Sequence, residues 1–241
     1  MRADQYLVEK GFAASRNEAQ AAIRAGLVTV DGAVLDKPAR LIAEGAVVAY
    51  AKPHPFVSRG GVKLAAALDR FGLSPEGRVA LDIGASTGGF TQVLLTRGAA
   101  KVHAADVGHD QLHASLRRDP RVVARDGINA RDLSAAIVPE APEAIVADVS
   151  FISLRLVLPP ALAMAALGAW AVALVKPQFE AGRAALSKGG IVRDAEVRAA
   201  VLAEIENFVG RQPHWSVLGH MESPIAGGDG NIEFLLAARK A

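Results

Sequence analysis

Leu81-Asp82-Ile83-Gly84-Ala85-Ser86-Thr87-Gly88-Gly89-Phe90 decides how the rest of the chain is read. An apolar run ends in a Gly-rich turn and passes straight into a helix start. The glycines let a ligand approach the backbone, and the first turn of the following helix offers free N–H groups. The spacing is G-x-x-x-G-G, not the G-x-G-x-x-G of a dinucleotide site, and the Lys and Ser/Thr of a P-loop are missing. Working outward, strand patterns fall at 79–83, 101–106, 122–124, 144–147, 169–175, 216–221 and 231–238. Helical patterns fall at 89–97, 111–117 and 195–209. This alternation predicts an α/β fold, a Rossmann-like and mostly parallel sheet with helices on both faces. The last two strands are joined by a Gly-rich loop with no helix, so they are expected to close the sheet as an antiparallel hairpin.

Residues 1 to about 50 read differently. A helix is expected over 2–10 and a second from Ser15, whose hydroxyl and Glu18 form a capping box, to about Ala25. Strands at 27–30 and 46–50 follow, with Asp31-Gly32 as a tight turn. Lys52-Pro53-His54-Pro55 reads as a linker. The expected organisation is a small α+β domain with linker at 1–53 and a larger domain at 54–241.

With 241 residues, 51% of them hydrophobic, the chain can bury a core in one medium domain plus a small one. Its 27 Lys+Arg against 25 Asp+Glu give a formal net charge of +2, so bulk charge does not announce a nucleic-acid partner. The absence of cysteine removes disulfides, Cys-ligated zinc, iron-sulfur clusters and thiol nucleophiles together, and no metal site is expected. Residues 156–175 carry no charge, yet Pro159-Pro160 and Gly168 punctuate them. They read as a short buried helix beginning at the prolines, a stop and a buried strand, not a membrane span. Without a secretory start, a cytoplasmic location is expected.

At the end of the first core strand Asp82 is placed to accept from an ammonium, which suits the amino-acid end of S-adenosylmethionine better than a pyrophosphate. Gly84, Ser86, Thr87, Gly88, Gly89 and Phe90 form the turn around it. Asp106, 24 positions on, ends the second strand, where an acidic side chain can hold both ribose hydroxyls. Asp126 and Asn129, after the third, are candidates for the adenine amino group.

The acceptor is narrowed by elimination. Methylating carbon 5 of a pyrimidine needs a cysteine nucleophile, and exocyclic amino methylation goes with an Asp/Asn-Pro-Pro-aromatic turn after the fourth strand. Here that turn reads Asp148-Val149-Ser150-Phe151. The chain instead spends Lys63, Asp148, Lys176 and Glu233 where an α/β core has no need of them. Strand ends four and five lie beside the cofactor in such a sheet, so Asp148 and Lys176 should face it. A lysine held neutral by burial or a neighbouring cation can take the proton of a hydroxyl. Lys176 is the expected base, Lys63 lowers its pKa or orients the hydroxyl, and Asp148 and Glu233 fix the ammonium groups.

Several stretches together resemble a known family. They include Ser15-Arg16, residues 26–32, Val57-Ser58-Arg59-Gly60-Gly61-Val62-Lys63-Leu64, residues 82–91, Asp148-Val149-Ser150-Phe151, Val175-Lys176-Pro177-Gln178-Phe179-Glu180, residues 189–194 and Gly230-Asn231-Ile232-Glu233-Phe234. From Val57 onward the chain resembles the FtsJ-like methyltransferases, whose Lys-Asp-Lys-Glu tetrad falls on Lys63, Asp148, Lys176 and Glu233. As a whole it is similar to the TlyA subgroup, which joins an S4 RNA-binding domain to a class I methyltransferase sheet. The resemblance implies transfer from S-adenosylmethionine to ribose 2'-hydroxyls of ribosomal RNA cytidines, with ribosomal RNA or ribosomal subunits as partners and no stable membrane association. Arg2, Arg16, Arg24, Lys37 and Arg59 become candidate RNA contacts, although residues 1–50 hold six acidic and six basic side chains. Relatives more often have Glu and a basic residue where this chain has Asp126-Gly127. Two other readings remain: a membrane-active hemolysin, the label some relatives carry, and a non-catalytic RNA-binding or ribosome assembly factor.

Overall fold

The computed structural model describes residues 1–13, 15–51, 54–187 and 189–241, so Lys52 and Pro53 of the expected linker lie outside the described residues. The chain divides into two compact units, Met1–Pro55 and Phe56–Ala241.

The first unit packs α1 (Ala3–Glu9) and α2 (Arg16–Arg24) on a small antiparallel sheet of β1 (Val28–Val30), β2 (Ala33–Val34) and β3 (Val48–Tyr50), in the order β2-β1-β3. Leu7, Ile23, Val28 and Leu35 form its buried centre. The Ser15 hydroxyl accepts from the Glu18 N–H at 3.2 Å and starts α2 as the capping pattern requires. Asp31 and Gly32 both take positive φ, 51° and 81°, which matches the twist of a two-residue hairpin turn.

The second unit runs α3 (Gly60–Phe71), β4 (Val79–Ile83), α4 (Gly89–Thr96), β5 (Lys101–Ala105), α5 (Ala114–Arg117), β6 (Val122–Arg125), β7 (Ala144–Ala147), α6 (Leu154–Met164), β8 (Trp170–Val175), α7 (Pro177–Glu180), α8 (Ala195–Gly210), β9 (Trp215–Glu222) and β10 (Phe234–Lys240). Its seven strands are ordered β6-β5-β4-β7-β8-β10-β9. The first five are parallel, and β10 enters antiparallel between β8 and β9. The Rossmann-like sheet with its antiparallel end is therefore as the alternation predicts. Leu81, Ile83 and Ile145 point to the face covered by α6 and α8, while Ala80, Val146 and Val172 point to the face covered by α3 and α4. The strand order reverses between β4 and β7, which places a crevice at the carboxyl ends of the central parallel strands.

Three boundaries differ from the sequence reading by three residues or more. The last strand begins at Phe234, not 231, because Asn231 spends its side chain on the 190–192 backbone: it accepts from Val192 N–H at 3.0 Å and donates to Gly190 O at 3.1 Å. Glu233 accordingly lies just before the strand. The helix expected over 111–117 contracts to α5. Finally, α6 starts at Leu154 under a Ser153 cap and carries Pro159 and Pro160 inside it. The carbonyls those prolines leave without an amide partner belong to Arg155 and Leu156, and Leu156 is 54% exposed, so water can take their place.

Candidate active site

The Gly-rich turn between β4 and α4 is held in a shape few residues allow. Gly84 has φ +79°, and a Cβ there would stand 2.4 Å from the carbonyl oxygen of Asp148. Ser86 adopts φ +47° without being glycine, and its N–H donates to Asp106 Oδ2 at 2.7 Å. Asp106 Oδ1 accepts from Gly108 N–H at 2.7 Å, so one carboxylate clasps the turn after β4 and the loop after β5. Gly89 opens α4 because a Cβ would come 2.1 Å from the Ser58 hydroxyl. The Ser58-Arg59-Gly60-Gly61 segment thus seats directly on the helix start.

Two compartments adjoin at this crevice and share Gly84, Ser86, Asp148 and Ser150 as walls. One, of about 440 Å³, is bounded by Asp106, Val107, Gln111, Ile128, Asn129, Phe151 and Val157. Its apolar walls with a carboxylate between them suit a purine nucleoside. The other, of about 270 Å³, is polar, with Ser58, Arg59, Lys63, Thr87, Phe90 and Lys176 on its walls. Its hydroxyls, ammonium groups and the Asp148 carboxylate suit a zwitterionic amino-acid tail. The donor set therefore fits S-adenosylmethionine, with Asp106 and Asn129 at the nucleoside end.

Four charged side chains meet around the polar compartment. Lys176, at the end of β8, lies 2.6 Å from Asp148 Oδ1 at the end of β7 and donates to the Ser150 hydroxyl at 3.0 Å. Lys63, one turn into α3, donates to Glu233 Oε2 at 2.5 Å. Glu233 is only 3% exposed and sits behind Lys63, not on the wall. Gly227 lets the 223–231 loop close over it, since a Cβ there would stand 2.5 Å from Glu233 Oε1. Helix, two strand ends and a loop thus each deliver one member. At the rim Phe151, 90% exposed and at φ +63°, leans on Phe179 with ring centroids 5.0 Å apart.

Not every other expected site residue reaches the two compartments. Asp82 lies wholly buried beneath the turn, where its Oδ2 accepts from the Thr91 hydroxyl at 2.6 Å. It lines neither compartment, and burial, added to by the nearby Asp148 and Asp106 carboxylates against the opposing Thr91 bonds, pushes its carboxyl up to about 7. Gly88 packs against Leu116. Asp126 turns to Arg117 at 2.8 Å, outside the nucleoside compartment, and that hydrogen bond lowers its pKa. Asn129 lines the compartment while its Oδ1 accepts from the Arg131 backbone N–H and Nε, each at 3.1 Å. In the first unit Arg2 and Arg16 both contact Asp4, at 3.1 and 2.8 Å, and Arg24 and Lys37 are exposed.

Several working residues went unassigned in the sequence reading. Glu180 accepts from the Ser153 hydroxyl at 2.5 Å and from Leu154 N–H at 2.7 Å, so it ties α7, next to Lys176, to the loop after Asp148. Burial raises its pKa, with Ser153 as the largest opposing contact. Asn231, Ser58 and Ser150 do similar positioning. All four fall inside the motif stretches quoted above, which was the available signal. Among the described residues no group of three or more His, Cys, Asp or Glu is placed to hold a metal, and no helix is long and apolar enough to cross a membrane.

Comparison with known proteins shows which families the two units match. Residues 56–240 match the FtsJ-like methyltransferase family and residues 1–48 the S4 domain. The chain is 45% identical over 240 residues to the 16S/23S rRNA (cytidine-2'-O)-methyltransferase TlyA of Mycobacterium tuberculosis, covering 99% of this chain and 89% of that protein. It is 43% identical over 239 residues to Hemolysin A of Brachyspira hyodysenteriae, covering 98% of each. A solved structure from Streptococcus thermophilus that carries a hemolysin name is 42% identical, with a TM-score of 0.79 over 100% of this chain and 88% of that one.

Proposed function

Because the chain belongs to the FtsJ-like methyltransferase family and carries an S4 domain ahead of that fold, we propose that it methylates a ribose 2'-hydroxyl of ribosomal RNA, on cytidine, in the cytoplasm. S-adenosylmethionine is the methyl donor, and when bound it supplies an electrophilic methyl group on a sulfonium. The observation that carries the reading is the pair of lysine–carboxylate contacts, Lys176–Asp148 and Lys63–Glu233, gathered at a compartment that adjoins a nucleoside-shaped one.

The chain's own residues divide the work. Lys176, in its neutral amine form, takes the proton from the 2'-hydroxyl, and the ammonium so formed is held by Asp148 and the Ser150 hydroxyl. Lys63, fixed by Glu233, orients the hydroxyl from the other side. Much of the acceleration comes from holding the oxygen in line with the methyl carbon. Phe151, exposed at the rim, offers an aromatic face on the side from which a nucleotide enters. Ribosomal RNA as the substrate is supported by the S4 match and by the name of the mycobacterial relative.

The test is single-turnover transfer with Lys176→Ala. The expected loss is about 10²-fold or more in rate with donor affinity retained. Wild-type rates from this variant would contradict Lys176 as the base.

A further inference from the structure

In the first unit one carboxylate holds more than its share of cations. Asp4 is fully buried, yet both its oxygens are occupied by side chains that reach the surface. Oδ1 accepts from Arg2 Nε at 3.1 Å, and Oδ2 accepts from Arg2 Nη2 at 3.3 Å, from Arg16 Nη2 at 2.8 Å and from Gln20 Nε2 at 2.9 Å. Gln20 passes the connection on, because its Oε1 accepts from Arg24 Nη2 at 3.4 Å. The Arg2 and Arg16 side chains remain 43% and 52% exposed. Arg16, Gln20 and Arg24 follow one another at i, i+4 and i+8 along α2, so they share a face of that helix.

We propose that Asp4 is a positioning residue for RNA: through its direct contacts with Arg2 and Arg16, and through Gln20 to Arg24, it holds three guanidinium groups ready for the phosphates of the substrate RNA. The inference rests on the RNA-directed function proposed above. A free arginine loses rotamer freedom when it is fixed on a phosphate. Here the protein has already fixed each side chain on one edge, while the guanidinium keeps further N–H groups for a second acceptor. Asp4 itself is out of water and out of reach of the RNA, so its negative charge acts on the arginines first.

The proposal inverts a simple expectation. Residues 1–50 hold six acidic and six basic side chains, so Asp4→Asn tips that balance by one positive charge, and bulk electrostatics would tighten RNA binding. Loss of positioning weakens it instead. The experiment measures, with the full chain and ribosomal RNA over a series of salt concentrations, the dissociation constant, and in methyl transfer the KM for RNA and kcat. Asp4→Asn is expected to raise Kd and KM roughly tenfold and to flatten the salt slope by about one or two phosphate contacts, with kcat at saturating RNA unchanged. A merely structural role would not move the salt slope and KM while sparing kcat. Because Asp4→Asn removes a buried charge that two helices share, Gln20→Met is measured beside it. That variant leaves Asp4 on Arg2 and Arg16, frees Arg24 alone, and is expected to lower the slope by about one contact. Unchanged or tighter RNA binding by Asp4→Asn in a folded protein overturns the proposal, as does an unchanged slope for Gln20→Met if Asp4→Asn fails to fold. Wild-type protein that binds no ribosomal RNA at any salt would remove the functional reading itself, a result distinct from either.

Discussion

Asp82 has its carboxyl wholly out of water, against the Thr91 hydroxyl and with the Asp148 and Asp106 carboxylates near. Its folded-state value of about 7 stands above the ordinary value of about 4. The folded protein therefore binds a proton here more tightly than the unfolded chain does. The stability this contributes is complete below pH about 4 and is lost as pH rises to about 7. Asp82→Asn keeps an oxygen for Thr91 and carries no charge, so its urea midpoint relative to wild type should climb between pH 5 and pH 8. A difference that stays flat across that range would show that burial is not straining this carboxylate. The residue also marks a limit of reading sequence: a strand-ending Asp before a Gly-rich turn looks ligand-directed, but β alternation and the inward bend of the turn send it under the turn. Asp106, one strand over, does line the nucleoside compartment. The tetrad positions could be picked out because each interrupts an apolar run or a tight motif; that Glu233 stands behind Lys63 could not, because a pairing across 170 positions leaves no local trace.

Elements carry the site because loops are stitched to one another. Gly84 brings the turn after β4 against the Asp148 carbonyl, so Gly84→Ala must push these two strand ends apart. We expect S-adenosylmethionine affinity to fall at least about tenfold by calorimetry, since both the contact and the positive φ are violated. Retained affinity would mean that the two ends can separate freely. Glu180 caps the start of α6 and Lys240 closes its other end, donating to the carbonyls of Leu162, Ala163 and Ala165 at 3.2, 3.2 and 2.7 Å. Lys240→Met strands those carbonyls and should cost about 1–3 kcal/mol in denaturant unfolding while sparing kcat at low temperature. Glu180→Ala removes the cap and also loosens the Ser150-Phe151 loop, so it should lower kcat as well. Equal effects of the two on kcat would contradict that distinction. Alternation and β-branched runs made the parallel strands legible. The start of α6 was not, because two prolines look like a helix beginning when the true one is set by Ser153 and a distant Glu180.

At the scale of the whole molecule, the chain forms two units with separate cores. The small one presents arginines and the large one a donor crevice. Charge totals conceal this, since the balance is even over residues 1–50 and the arginines are gathered by a single buried carboxylate. The hemolysin names of some relatives call for an exposed apolar span, and the uncharged stretch at 156–175 is instead spent on α6 and the central strand β8. Ribose methylation with Lys176 as the base is tested most directly by incubating the protein with labelled S-adenosylmethionine and each ribosomal subunit, then mapping the modified nucleotide. The expected result is one or a few cytidines methylated at the ribose, protecting the adjacent 3' bond from alkaline cleavage, and no label with Lys176→Ala. Label on a base, or undiminished incorporation by Lys176→Ala, would contradict it.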